Sequence, residues 1–285
     1  MNNQKGKEEM QIIWMKMEIN YTNEISPPRQ QEELANKYAP VLYFHEDENH
    51  YPREIQEFLN DSDLKRKSWW TDPTIVSKPV SKSDLANHTA DNHYLDWDGE
   101  EPDHKEYVIY SHVFTATDNK IVIQYWFFYL YNDHIFDHEG DWEMIQIICD
   151  ENGNPQKAGY SQHYGGDKRS WSNVEKVDGN HPKVYVAEGG HASYFESGST
   201  PINYPDYNLE GWDDHQGDGI VLNSSNYSIQ YLTNENWLKF KGRWGEQVSV
   251  FHLAKSPEGP VFRHTKHLKP VANMWVEPFY WYSVI

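Results

Sequence analysis

The chain has 285 residues, of which 15% are aromatic and 24% are charged, and its formal net charge is −19. Its many tryptophan and tyrosine side chains can build a core, which excludes a disordered chain. The acidic excess excludes nucleic-acid binding through a basic surface, and no apolar run is long enough to span a bilayer. We therefore expect a globular protein with no nucleic-acid partner and no transmembrane segment.

The N-terminal residues 1–25 form a polar lead segment without the apolar stretch of a cleaved signal peptide. This pattern predicts a cytoplasmic location, with export by a route that needs no cleaved signal as the alternative. The remaining residues, 26–285, are predicted to form one domain. The single cysteine, Cys149, ends an apolar run and is expected to be buried and inert.

The first predicted elements follow the lead segment. Residues 26–39 predict a helix, because Ser26 suits the N-cap and Pro27 suits the first helical position. The apolar run 41–45 predicts a short strand. The polar segment 65–106 is predicted to consist of loops and short elements.

From residue 107 onward the pattern is typical of strands separated by turns. The predicted strands are residues 107–114, 120–131, 141–149, 156–163, 182–188, 247–254 and 274–285. Residues 196–246, rich in glycine, asparagine and tryptophan, are predicted to be mainly loops. The pattern predicts a mainly β fold, a single-domain β-sandwich with peripheral helices and long loops.

Negative charge is concentrated where the strand 141–149 begins. In a strand, Asp141 and Glu143 point to the same face, and His138 can fold back from the preceding turn. Two close carboxylates repel each other, and a divalent cation would relieve that repulsion. We therefore predict a metal site at His138, Asp141 and Glu143, to which the nearby Asp133 can contribute. Trp142 has the opposite parity and is predicted to pack in the core.

The donor set also limits the metal. Carboxylate oxygens favour calcium or magnesium, whereas one imidazole shifts the preference towards manganese, iron or zinc. The alternative is that the acidic residues only cap a turn and pair with basic side chains such as Lys183, Arg169 or Arg243.

Two further histidines follow predicted strands. His163 ends the segment 156–163, and His191 follows two glycines that allow a close backbone approach. Both are candidate ligand-binding residues. If the protein is an enzyme, His191, Asp141 and Glu143 are the candidate catalytic groups, because imidazole suits proton transfer near neutral pH.

A family resemblance covers most of the chain, from about Leu34 to Pro260. The segments LANKYAPVLYFHEDENHYP, QYWFFYLYND, DHEGDWEMIQI, YSQHYGG, HPKVYVAEGGHASYF and FKGRWGE followed by SPEGP occur in this order. Together they resemble the vacuolar protein sorting-associated protein 62 family. HEGDWE and GGHASY are the most specific motifs, and the resemblance identifies relatives rather than a reaction.

The motif YWFFYLYND followed by DHEGDWE is also similar to the necrosis- and ethylene-inducing peptide-like cytolysins. This resemblance implies a β-sandwich whose acidic cavity holds a divalent metal. The order H-x-x-D-W-E falls on His138, Asp141, Trp142 and Glu143, and an earlier carboxylate ligand would correspond to Asp133. The chain lacks the cysteines and secretion signal of the cytolysins, so the resemblance implies the metal site more than cytolysis.

Three functions remain open from the sequence. The first is a divalent-metal-binding protein, with calcium or magnesium favoured over manganese or zinc, that engages a glycan or lipid headgroup at an acidic cavity. Aromatic side chains in turns would then stack on sugar faces: Trp171, Trp212, Tyr204 and Tyr207. The second is a metal-dependent hydrolase, of glycosidase or phosphoester type, that uses the same cluster. The third is a non-catalytic trafficking or scaffold protein. Whether the chain is an enzyme, and its oligomeric state, stay open.

Overall fold

The computed structural model describes residues 28–68, 72–116, 118–163, 165–204, 209–246, 256–264 and 273–276. Within these residues the α-helices are α1 (Pro28–Lys37), α2 (Ile55–Asn60) and α3 (Lys82–Asn87). The strands are β1 (Val41–Tyr43), β2 (Ser62–Arg66), β3 (Thr74–Ser77), β4 (His93–Trp97), β5 (Tyr107–Thr115), β6 (Ile121–Asn132), β7 (His138–Cys149), β8 (Pro155–Gln162), β9 (Gly165–Ser170), β10 (Lys176–Val177), β11 (His181–Val186), β12 (Ser193–Tyr194), β13 (Gly198–Tyr204), β14 (Leu209–His215), β15 (Val221–Leu222) and β16 (Tyr227–Tyr231). Short 3-10 helices cover Trp171–Asn173, Asn236–Lys239 and Pro260–Phe262.

A six-stranded sheet forms the centre of the fold, in the order β16-β5-β6-β7-β8-β9. Only β16 runs parallel to its neighbour, and the other pairs are antiparallel. Almost all side chains of the long strands β6 and β7 are buried; β6 is mostly apolar, and β7 becomes mostly apolar from Met144 onward. Continuous apolar strands of this kind are expected where a sheet is covered on both faces.

The first core lies between one face of this sheet and a second sheet, in which the order is β10-β11-β1-β15 and β12 pairs with β11. Its members include Tyr125, Phe127, Ile145 and Ile147 from the central sheet and Val184 from the second sheet. Two sheets packed through interleaved inner faces form a sandwich. The predicted mainly β fold is confirmed.

The second core covers the opposite face of the central sheet. Trp126, Phe128 and Trp142 point into it from β6 and β7, and they meet the helices α2 and α3 and a three-stranded sheet of order β3-β2-β4. Helix α3 is fixed by a capping box between Ser81 and Asp84, which satisfies backbone groups at its first turn.

One loop prediction is corrected by the structure. Residues 65–106 hold short elements between loops, as predicted: the end of β2, then β3, α3 and β4. Residues 196–246, predicted to be mainly loops, contain four strands, β13 to β16. The hairpin β13–β14 is polar, contains proline, and forms a separate two-stranded sheet within the part of the chain that the structure describes. Since neither strand needs a continuous apolar face, the alternation that reveals a strand in sequence is missing.

Other predictions concern residues that the structure describes only in part. The helix predicted from residue 26 is described from Pro28 and ends before Pro40. The lead segment 1–25, the predicted strand 247–254, and residues 277–285 of the last predicted strand lie outside the described residues; residues 274–276 form a turn. The single-domain assignment stays a prediction. Within the described ranges, no helix is long and apolar enough to cross a membrane.

Candidate functional site

The acidic strand begins earlier than the sequence predicts, at His138, and Gly140 determines how it enters the sheet. Gly140 has a φ of +57°, and a Cβ there would lie 2.1 Å from the carbonyl oxygen of Trp244, so only glycine fits. After this residue the strand is regular, with Asp141 opposite Tyr129 and Glu143 opposite Phe127 in the register with β6. The two carboxylates therefore extend the face that continues into the first core.

Glu143 lies where β7 and β8 separate. The ladder between these strands pairs residues from Ile145 to Cys149 of β7 and does not reach Glu143. Beyond it, the Met144 N–H donates to the hydroxyl oxygen of Ser161 over 3.0 Å, and that hydroxyl donates to the Glu143 carboxylate. The end of the ladder thus leaves room for a group from elsewhere in the chain to reach Glu143.

Arg263 is the group that reaches Glu143 at the end of the ladder. Its Nη2 donates to Glu143 Oε1 over 2.6 Å, and its Nη1 lies 3.9 Å from Asp141 Oδ1. The basic residues proposed from the sequence pair elsewhere: Lys183 with Glu175, Arg169 with Glu196, and Arg243 with Glu258. The acidic cluster therefore does have a basic partner, but it comes from a segment that the sequence did not indicate.

His191 occupies the centre of the site. Parallel pairing of β1 and β11 places the turns that follow both strands at the same end of the second sheet. His191 Nδ1 lies 3.0 Å from Asp141 Oδ2, and Nε2 lies 3.8 Å from Glu48 Oε1. The ring is fully buried and stacks on Tyr129, with centroids 3.7 Å apart and planes at 2°. Nε2 has no hydrogen-bond partner among the described residues. The predicted role of His191 in binding or catalysis stays a prediction.

The pKa values follow from this crowding. Burial alone would lower the pKa of His191, but the Asp141 and Glu48 carboxylates raise it to about 10. Burial opposes ionisation of Asp141, yet His191, His138 and Arg263 hold its pKa below the usual range. Burial raises the pKa of Glu143, and the nearby Asp141 adds to that rise, although Arg263 opposes it. Three buried carboxylates thus face two cationic groups, which leaves excess negative charge.

Backbone carbonyl groups fix the orientation of His138. Its Nδ1 lies 3.0 Å from the carbonyl oxygen of Gly140 and 3.3 Å from that of Glu139. Because carbonyl oxygens only accept, Nδ1 carries the hydrogen, and in the neutral ring Nε2 keeps its lone pair. Burial lowers the pKa of His138 and so favours this neutral form, although Asp141 opposes the shift.

The remaining predicted site residues lie around this centre. Asp133 is exposed. Its Oδ1 lies close to the backbone of Gly189, because a Cβ added to Gly189 would be 2.3 Å from this oxygen. His163 Nε2 contacts the buried carboxylate of Asp213 at 2.7 Å, which raises the pKa of His163 although burial opposes the rise. Trp212 is exposed, whereas the side chain of Tyr204 and all of Tyr207 lie outside the description. The ligand roles of Asp133 and His163 stay predictions.

A different acidic group has its ligand atoms already close together. The carboxylate oxygens of Asp63, Asp96 and Asp98 lie within 4.8 Å of one another and could hold a metal ion; among the described residues they form the one such group. Two of the three are paired with lysines, Asp96 with Lys65 and Asp63 with Lys78. Binding of an ion at the other group would require the side chains of His138, Asp141 and Glu143 to move closer together and the Arg263 guanidinium to leave.

Sequence reasoning did not identify several residues that shape the site, namely Glu48, Arg263, Ser161, Asn132 and Asp213. Asn132 donates to Asp141 Oδ2 over 3.0 Å, and Glu48 accepts from the Gly189 N–H over 3.0 Å. For Glu48 a signal was available, since HEDENHYP is an acidic turn that directly follows a strand. No local pattern marks Arg263.

Glu139 does not join the site. Its Oε2 accepts from the backbone N–H groups of Trp97 and Glu246 at 2.9 and 2.8 Å. Burial raises the pKa of Glu139 to about 7, although these two hydrogen bonds oppose the rise. The register with β6 is the same on both sides of Gly140, but the positive φ of this glycine reorients the chain, so that Glu139 and Asp141 contact different groups in spite of their equal parity.

Glu139→Gln is therefore expected to stabilise the protein above neutral pH. The folded state holds the carboxyl proton up to about pH 7, whereas the unfolded state loses it near pH ~4.5, so ionisation costs stability as the pH rises through this window. The gain should be on the order of 1–2 kcal/mol at pH 8 and smaller at pH 5. Thermal melts at both pH values measure it, and equal destabilisation at both would contradict the prediction.

Comparison with solved structures identifies a distant similarity to the necrosis- and ethylene-inducing toxins. The structure of NLPPya in complex with glucosamine is 17% identical, covers 60% of this chain and 69% of that chain, and has a TM-score of 0.39. Necrosis and ethylene inducing protein 2, from the causal agent of cocoa's witches' broom disease, is 14% identical. That match covers 72% of this chain and 74% of that chain, with a TM-score of 0.36. Non-toxic HaNLP3 is 12% identical, and the match covers 72% of this chain and 77% of that chain, with a TM-score of 0.38.

No curated protein shows significant sequence similarity to the chain. The sequence profile described as vacuolar protein sorting-associated protein 62 matches residues 1–258, which is most of the chain and includes the whole acidic site except Arg263. The chain belongs to the vacuolar protein sorting-associated protein 62 family.

Proposed function

We propose that this protein binds a divalent cation through His138, Asp141 and Glu143, and that the bound ion engages a glycan at the same end of the sandwich. Calcium and magnesium suit the two carboxylates, and manganese or zinc suits a set that includes the imidazole. The ion would supply a positive charge that attracts ligand oxygen atoms, while the protein fixes the positions of the donors.

One observation carries the cation proposal: Asp141 and Glu143 are almost completely buried on adjacent same-face positions and share a single guanidinium. Burying carboxylates is costly unless they are fully compensated. The orientation of His138 adds a third donor, since its Nδ1–H is directed to backbone carbonyls and its Nε2 lone pair is left for an ion.

The hairpin β13–β14 supports a glycan rather than a lipid headgroup as the ligand. Trp212 is 63% exposed, and its carbonyl oxygen accepts from His134 Nε2 over 3.1 Å. The next residue, Asp213, fixes His163. An exposed indole, on a hairpin whose backbone contacts a histidine, offers a flat apolar face for a sugar ring together with nearby polar groups for its hydroxyls.

Binding is favoured over hydrolysis because His191, the candidate acid–base group, is fully buried and already contacts Asp141. A general acid or base must come within hydrogen-bond reach of the reacting atoms.

A glycan array probed with and without chelator separates glycan binding from glycan hydrolysis. Cation-dependent binding without cleavage supports the proposal, whereas cleavage of bound glycans would favour the hydrolase. Phosphoester substrates provide the same test for a phosphoester hydrolase.

We expect calorimetric titration of the full chain with calcium, magnesium, manganese or zinc to show about one ion bound per chain. Chelator should lower the melting temperature of the loaded protein, because a ligand that binds only the folded state stabilises it. Asp141→Asn and Glu143→Gln should each weaken binding by ~10-fold or more, since each removes one charged donor.

Asp98→Asn is the control, because Asp98 belongs to the separate carboxylate group with Asp63 and Asp96. It should leave the affinity unchanged. If Asp98→Asn abolishes binding while Asp141→Asn does not, the ion sits at the other group and the assignment is wrong. Absence of any binding, together with melting that does not respond to chelator, would refute the cation proposal itself.

A further inference from the structure

Arg263 occupies the position that a cation at the acidic site would need. Its guanidinium is 2.6 Å from a Glu143 oxygen and 3.9 Å from an Asp141 oxygen. The side chains of Asp141 and Glu143 are only 5% and 3% exposed, and that of Arg263 is 14% exposed. One positive group therefore bridges both carboxylates from the more open side.

The backbone around Arg263 is held independently of this contact. Its carbonyl oxygen accepts from the Met274 N–H over 3.0 Å, and Asn273 donates to the carbonyl oxygen of Val261 over 2.9 Å. Trp275, in the same segment, stacks on His112 with centroids 3.7 Å apart. Since these contacts lie on the second-core side, the Arg263 side chain can leave the carboxylates without unfolding of the segment that carries it.

We propose that Arg263 is an internal counter-ion that competes with the divalent cation for Asp141 and Glu143, so that entry of the cation expels the guanidinium from the site. This inference rests on the proposed cation binding and adds its regulation. A divalent ion and a guanidinium need the same oxygens, and they repel each other at such distances. The competition lowers the apparent affinity for the ion, and the guanidinium partly compensates the carboxylates when no ion is bound.

Arg263→Gln in the full chain tests the competition by calorimetric titration with manganese or calcium. Removing the competitor should tighten binding by about 10-fold or more, within the usual range of coupling between two ligands. Arg263→Lys, which keeps the charge but loses the planar fork, should fall between Arg263→Gln and the unchanged protein. Arg243→Gln is the matched control, because Arg243 pairs with Glu258 instead. The Arg243→Gln variant should bind the ion with the same affinity as the unchanged protein.

A second measurement follows Arg263 in the unchanged protein and needs only the conservative Arg263→Lys variant for assignment. In the unchanged protein, the guanidinium NMR signal of Arg263, assigned by its loss in Arg263→Lys, should shift when the ion saturates the site. An unshifted signal with the ion bound would overturn the inference, as would equal or weaker affinity in Arg263→Gln; both outcomes leave the proposed cation binding intact. If neither the unchanged protein nor Arg263→Gln binds an ion, both proposals fall.

Discussion

Trp142→Ala should lower the free energy of unfolding by about 3–5 kcal/mol, the cost expected for deleting a large ring from a packed core. Trp142 is fully buried in the second core, where its ring centroid lies 4.8 Å from Phe128, 5.3 Å from Trp244 and 5.6 Å from Tyr110. Among the described residues its Nε1–H has no hydrogen-bond partner, so the loss is one of packing. Urea unfolding followed by circular dichroism measures the change.

Trp212→Ala is the matched control, since it deletes the same ring from a position that is 63% exposed. Its effect on stability should stay within about 0.5 kcal/mol, as for surface substitutions in general. Ion binding by Trp142→Ala should persist under conditions where the variant is folded. A stable Trp142→Ala protein that has lost only ligand binding would show that the ring lines the site.

His191→Gln is expected to cost about 3 kcal/mol at pH 7, because it removes a buried cation between two carboxylates. Those carboxylates belong to Asp141 and Glu48, 3.0 and 3.8 Å from the two ring nitrogens. The loss of stacking on Tyr129 adds to the cost. Chemical unfolding with chelator present isolates this contribution from that of a bound ion.

The stability difference between the unchanged protein and His191→Gln should depend on pH. The pKa of His191 is raised to about 10 in the folded state, against ~6.5 for an unperturbed histidine. The stabilisation is therefore complete below about pH 6.5 and is lost as the pH rises through about 10. Unfolding curves at pH 6, 8 and 10 should show the difference shrinking at each step.

His104→Gln provides the control, because His104 is exposed and makes no contact with the acidic site. It should change stability much less than His191→Gln does. A His191→Gln difference that stays constant or grows from pH 6 to pH 10 would show that the imidazole is not held as a cation between the carboxylates.

The sequence by itself determined the local features of the site. Asp141 and Glu143 share a face with Ile145, and Trp142 lies on the other, because alternation is a property of the strand backbone. The mainly β fold also followed from the sequence, since long apolar runs separated by turn residues have few other solutions. Two features depart from this local pattern: β7 starts earlier, at His138, and Glu139 lies apart from Asp141 across the left-handed Gly140.

Only the tertiary structure decided which distant groups complete the site. Arg263 meets Glu143 across 120 positions of sequence, and Glu48 reaches the His191 turn because β1 lies parallel to β11. No local periodicity encodes such pairings, because they depend on how sheets stack and where strands separate. The packing of the sheets also decides which basic residue pairs with the acidic site. By charge alone, the partner could equally have been Lys183, Arg169 or Arg243, but in the fold each of them pairs with a different carboxylate.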